Sequence, residues 1–81
     1  MPVQIIKNLL ANNNTTVGEL LNALIWLAKD VAHLKDRKKW ISQNASPEMA
    51  IDIDNQITEE IKDVEELINS IKLRIKTKCT N

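Results

Sequence analysis

Apolar residues recur in alternating steps of three and four over two long stretches of the chain, residues 17–41 and 50–75. That spacing places the apolar side chains on one face of an α-helix and is typical of helices that pair with each other. The first repeat consists of Val17, Leu20, Leu24, Leu27, Val31, Leu34, Lys38 and Ile41. The second repeat consists of Ala50, Asp54, Ile57, Ile61, Val64, Ile68, Ile71 and Ile75.

A short polar segment, residues 44–47, separates the two repeats. It leads into Ser46-Pro47-Glu48, which combines a capping residue, a proline suited to a first helical turn and an acid near the positive end of the helix dipole. The segment therefore predicts a tight turn followed at once by a new helix.

Thr16 and Glu19 have the spacing of a capping box, so the first long helix should begin beside Thr16. We expect helices over about 17–43 and 47–78. A shorter apolar repeat predicts a helix over about 3–11, which is too short to be stable alone and must pack on the other two. The predicted fold is a single all-α domain with three helices in total: a long antiparallel, coiled-coil-like hairpin and a short N-terminal helix.

Two charged residues, Lys38 and Asp54, interrupt the apolar repeats at similar distances from the turn. In one interpretation they form a partly buried pair that fixes the register of the hairpin. In the other, the repeat frays near the turn and both side chains reach water. The charges near the turn favour antiparallel pairing in both cases, because the first long helix ends basic and the second begins acidic.

Composition narrows the class of protein further. The chain has 81 residues, eleven basic and eleven acidic side chains, and one cysteine, Cys79. A domain of this size has a marginal core, and small helical proteins commonly gain stability by forming oligomers. The sequence predicts no signal peptide and no membrane-spanning segment. Together with the single thiol, this favours the cytoplasm of a cell or of a virus-infected host cell.

Residues suited to catalysis are few. His33 is the only histidine, and the chain has no glycine-rich phosphate loop. The carboxylates of residues 59–66 lie mostly opposite the apolar repeat, where such a run is typical of a solvated surface. We therefore expect no catalytic residues, no metal site and no cofactor.

The most specific feature of the first long helix is a second line of residues. Trp26, His33 and Trp40 are spaced by seven, so they share one side of the helix, and Ile25 is adjacent. Tryptophan is enriched in interface cores. The short N-terminal helix could cover Trp26, but it cannot reach Trp40 as well. The sequence thus predicts a partner-binding face of Ile25, Trp26, His33 and Trp40, occupied by a second copy or by another helical protein.

Two basic clusters, Lys35–Lys39 and Lys72–Lys78, support an alternative. The first lies beside Trp40, and cations next to an aromatic ring are found in nucleic-acid-binding proteins. The cations that would contact nucleic acid are Lys35, Arg37, Lys39, Lys72, Arg74 and Lys76. The net charge of zero argues against binding by bulk charge.

The favoured function is a non-enzymatic protein–protein interaction or assembly module, chaperone-, adaptor- or inhibitor-like, acting through helix packing. A hairpin with a proline in its turn is similar in outline to the small hairpin chaperones of type III secretion and to short helical assembly proteins of phages and viruses. No diagnostic motif accompanies that similarity, so it implies no residue roles.

Overall fold

The computed structural model describes residues 3–79, which form three α-helices and no strand. Helix α1 spans Val3–Ala11, α2 spans Val17–Asn44 and α3 spans Pro47–Cys79. Helices α2 and α3 pack along their lengths as an antiparallel hairpin, and the molecule measures 52 × 18 × 16 Å. The predicted fold class is thereby confirmed. Within residues 3–79, no helix combines the length and apolar character needed to cross a bilayer.

Side chains and backbone groups define the helix ends. Thr16 Oγ1 accepts a hydrogen bond from the Glu19 N–H at 3.2 Å, and Glu19 Oε1 accepts one from the Thr16 N–H at 3.2 Å, so the capping box is complete. At the other end of α2 the Ala45 N–H donates to the Ile41 carbonyl at 2.9 Å. Ala45 is extended, and α3 begins two residues later at Pro47.

The hairpin core has two unequal rows of side chains, each repeating every seven residues. The closed row is mostly buried, with Leu34 and Ala50 as its partly buried members. The open row is only partly buried at every position. The closed row consists of Leu20, Leu27, Leu34 and Ile41 of α2 and Ala50, Ile57, Val64 and Ile71 of α3. The open row consists of Val17, Leu24, Val31 and Lys38 of α2 and Asp54, Ile61, Ile68 and Ile75 of α3.

One ion pair reports the register of the two helices. Lys38 Nζ lies 3.7 Å from Asp54 Oδ1, and it also donates to Thr58 Oγ1 at 3.1 Å. The two charged side chains are 39% and 42% exposed, so the pair sits at the edge of the open row and contributes less than about 1 kcal/mol. The pair defines the register of the hairpin, because it places residue 38 of α2 opposite residue 54 of α3.

Helix α1 accounts for the difference between the rows. It packs on the hairpin beside the closed row, where Ile6 and Ala23 are fully buried with Leu20, Leu27 and Ile71. The apolar surface on that side is therefore covered by a third helix, whereas the opposite side, with the open row, has no such cover among residues 3–79.

Polar contacts hold the end of α1 and the following loop. Arg74 donates from one guanidinium nitrogen to the carbonyls of Leu10 at 2.9 Å and Asn12 at 3.1 Å. Buried Thr15 donates from its hydroxyl to the Leu9 carbonyl at 2.7 Å. These bonds satisfy carbonyls at the end of α1 that have no partner within the helix.

Candidate functional site: the tryptophan face of α2

Both tryptophans lie on the outside of α2 and keep a large exposed fraction. Trp26 is 49% exposed and Trp40 is 63% exposed, and His33, midway between them, is exposed as well. Helix α1 therefore leaves much of this side uncovered. We call the line through Trp26, His33 and Trp40 the tryptophan face.

Neighbouring residues modify this face. Lys29 Nζ lies 5.8 Å from the centroid of the Trp26 ring, a cation–π arrangement that caps one side of the indole. Ile25 is 54% exposed but is rotated by about 100° from Trp26, since consecutive helical residues differ by that angle. Ile25 is closer to the exposed Leu21 than to the line of tryptophans, so it forms the edge of a different apolar surface.

A groove adjoins the tryptophan face at His33. It has a volume of about 750 Å³ and is bounded by α1, α2 and α3. Its apolar floor includes Leu34 and Val64. Lys7 of α1 and Arg37 of α2 supply cations to its wall, and α2 and α3 supply carboxylates. The carboxylates of that wall are Asp30 of α2 and Glu60, Asp63 and Glu66 of α3.

This groove was not anticipated from the sequence. Among the described residues, Val3 and Lys7 of α1 line it together with residues of α2 and α3, and the two long helices continue beyond it toward the turn. The length of the N-terminal apolar repeat was visible in the sequence. The direction in which α1 lies across the hairpin was not, because it depends on the conformation of residues 12–16.

The basic residues are spread over several environments. Arg74 is engaged with carbonyls at the end of α1, Lys78 donates to the Asn13 carbonyl at 3.2 Å, and Lys38 contacts Asp54 and Thr58. Of the cations in the two predicted clusters, those that remain exposed are Lys35, Arg37, Lys39, Lys72 and Lys76. The first three lie near the turn and the last two near the open end of the hairpin, so they do not form one continuous patch.

A scan against protein-family models, a search of curated proteins and a search of solved structures each found no match to this chain. What the protein does must therefore be inferred from the geometry of its surfaces.

Proposed function

We propose that this protein is a non-enzymatic interaction or assembly module that binds an α-helix of another protein along its tryptophan face. The observation that carries the proposal is the exposure of both tryptophans, 49% and 63%, on one side of α2. A buried tryptophan contributes roughly 150–250 Å² of contact surface, so covering these two side chains would remove on the order of 200 Å² from water. Tryptophans in such positions are frequent binding hot spots.

The groove beside His33 suggests how the partner helix would lie. A helix can place apolar side chains at intervals of three and four into a groove with an apolar floor, here Leu34 and Val64. The charges of the groove then favour a partner helix with mixed charge. Its carboxylates would meet Lys7 and Arg37, and its cations would meet Asp30 and the carboxylates of α3.

Such a module would act as a chaperone, an adaptor or an inhibitor, because each of these works by covering a helix of its target. We place it in the cytoplasm, where the exposed thiol of Cys79 would stay reduced.

The test is affinity capture followed by reconstitution from purified components. The wild-type protein is compared with a Trp26→Ser/Trp40→Ser variant and with a matched control, Ile51→Ser/Leu73→Ser, which removes two equally exposed apolar side chains of α3. We expect a helical partner to bind the wild type and the control, and binding to the tryptophan variant to weaken at least tenfold. Equal binding by all three proteins would contradict the proposal.

The second candidate function is nucleic-acid binding, which the exposed cations near the turn favour. A series of gel shifts at increasing salt separates it from the first, because phosphate contacts release counterions and the affinity then falls steeply with salt. Replacing Lys35 and Lys39, which do not line the groove, by glutamine should weaken such binding. If those substitutions leave capture of a protein partner unchanged, the tryptophan face remains the binding surface.

A further inference from the structure

We infer that the open row of the hairpin is the interface between two copies of this protein, which pair side by side with their turns at the same end to form a four-helix bundle. This surface lies on the opposite side of the hairpin from α1 and is distinct from the tryptophan face. The inference therefore stands independently of the proposed function.

The first argument is the burial pattern. In both long helices the closed row is largely buried, whereas every residue of the open row is only partly buried. Leu24, Val31, Ile68 and Ile75 pack against the core with part of each side chain still in water. Exposed Leu21 and Ile25 extend this surface along α2. Helix α1 completes the core on one side, and the open row lacks the equivalent layer on the other.

The second argument is the register. Because Lys38 lies beside Asp54, stepping back seven residues along α2 and forward seven along α3 places Val31 opposite Ile61. Two further steps place Leu24 opposite Ile68 and Val17 opposite Ile75. The open row thus consists of three apolar layers toward the open end of the hairpin and one charged layer toward the turn.

That order of layers distinguishes a second copy with the same orientation from one with the opposite orientation. With both turns at the same end, each apolar layer meets an apolar layer. The Lys38–Asp54 layer then meets its own equivalent, and the charges alternate in sign around the four helices. With the turns at opposite ends, the charged layer would be buried against the apolar side chains of Val17 and Ile75, and the two charged layers would no longer meet each other.

The charges flanking the open row lead to the same choice. Lys35 and Lys39 lie near the turn on α2, and Lys72 and Lys76 lie near the open end on α3. Turns at the same end bring Lys35 and Lys39 close to Asp54 of the second copy, which is attractive. Turns at opposite ends remove that contact and bring Lys72 and Lys76 of the second copy to the level of both the Lys35–Lys39 pair and Asp54, so repulsion and attraction offset each other there.

The dimensions of the molecule set an upper limit on the contact area. Its broad side has an outline of 52 by 18 Å, about 900 Å², and a standard stable interface buries about 800 Å² per partner, so the pairing would have to use most of that side. A repeat of apolar layers with one polar layer is also the arrangement by which coiled coils fix register and partner number.

The decisive experiment uses charge reversal in the polar layer. Sedimentation of the wild type at micromolar concentration should give a dimer of about 18 kDa, twice the 9.2 kDa of one chain. Lys38→Asp and Asp54→Lys each place four like charges in that layer, so each variant alone should dimerise at least tenfold more weakly. Mixed together, the two variants should form a dimer with one copy of each, because every charge then faces an opposite charge across the interface.

Two controls distinguish a specific loss of the interface from a change in net charge or a loss of helical structure. Asp52→Lys changes the net charge as Asp54→Lys does, but on an exposed position of α3, and it should leave the dimer intact. Circular dichroism of each variant checks that the helices persist. A monomeric wild type at 100 times that concentration, or a mixture of the two variants that stays monomeric, would overturn the inference. So would a dimer that only the Trp26→Ser/Trp40→Ser variant disrupts, because the second copy would then occupy the tryptophan face.

Discussion

At the scale of single residues, the capping box is the contact most sensitive to substitution at the start of α2. The Thr16 hydroxyl accepts the Glu19 N–H, and that bond satisfies one of the donors left free in the first turn. We predict that Thr16→Ala lowers the free energy of unfolding by about 1 kcal/mol, measured by urea denaturation.

Ser46→Ala is the matched control, since Ser46 precedes α3 but its hydroxyl makes no hydrogen bond within residues 3–79. It should cost less than Thr16→Ala. The turn sequence predicted Ser46 as a side-chain cap, whereas the structure uses its carbonyl, which accepts the Ala50 N–H at 2.8 Å. An equal loss for the two variants would show that the capping box contributes nothing beyond a polar residue before a helix.

The tryptophans provide a second prediction at this scale. If two copies pair through the open row, Trp26 and Trp40 stay on the outside of the bundle. Quenching of their fluorescence by acrylamide should therefore be the same in the monomer and in the dimer, measured below and above the dissociation constant. Protection of the tryptophans on dimerisation would instead place them in the interface between copies.

At the scale of the elements, the sequence predicted the long helices well, because their ends depend on local signals. Helix α2 ends at Asn44, one residue beyond the predicted end, and α3 ends at Cys79, also one residue beyond. Pro47 and Thr16 provide strong local constraints at their starts. The sequence left two interpretations open for Lys38 and Asp54, a pair that fixes register or two side chains that reach water. The structure places Lys38 Nζ 3.7 Å from Asp54 Oδ1 with both side chains partly exposed.

The local sequence signals did not predict which row of the hairpin would be closed and which would be open. Both rows show the same period of seven, so periodicity alone cannot say which row is covered. Which row is covered depends on how α2 and α3 are rotated about their own axes and on where α1 packs. The one local sign was Ala23, a small residue beside the closed row that lets Ile6 of α1 approach α2 closely.

The attachment of α1 gives a prediction at this scale. Arg74 donates two charge-assisted hydrogen bonds to carbonyls of the α1 end, and α1 has only nine residues. We predict that Arg74→Met weakens its docking by about 1.5 kcal/mol, so backbone amides of α1 should exchange with solvent on the order of ten times faster. Hydrogen exchange monitored by mass spectrometry would measure this. Amides in the middle of α2 and α3 should keep their protection.

Arg37→Met is the control for that experiment, because Arg37 is exposed on α2 and borders the groove without a hydrogen bond to the α1 backbone. It should leave exchange in α1 unchanged. If Arg74→Met also left it unchanged, burial of Ile6 alone would hold the helix.

At the scale of the whole molecule, the two proposed interfaces use different surfaces of the hairpin. Helix α1 covers one side, the proposed partner helix would bind the tryptophan face, and the proposed second copy would bind the open row. An assembly of two hairpins would thus present two tryptophan faces on its outer surface. Binding of partner helices to both would then be strengthened by avidity wherever the partner is itself dimeric.

If two copies pair through the open row, the stability of the protein depends on its concentration. A chain of 81 residues buries too little apolar surface for a large margin of stability, so the interface between copies should supply part of it. Because only the folded chains pair, mass action stabilises them by about 1.4 kcal/mol of dimer for each tenfold increase in concentration. For two chains unfolding together this raises the melting temperature by about 4 °C per tenfold.

Thermal unfolding followed by circular dichroism tests this dependence. When the concentration is raised from micromolar to 100 times that value, the midpoint should rise steadily. Asp54→Lys, whose dimer is weaker, should melt at a lower midpoint than the wild type at each concentration, and Asp52→Lys should behave as the wild type. A wild-type midpoint that stays constant would mean that the hairpin and α1 are stable without a second copy.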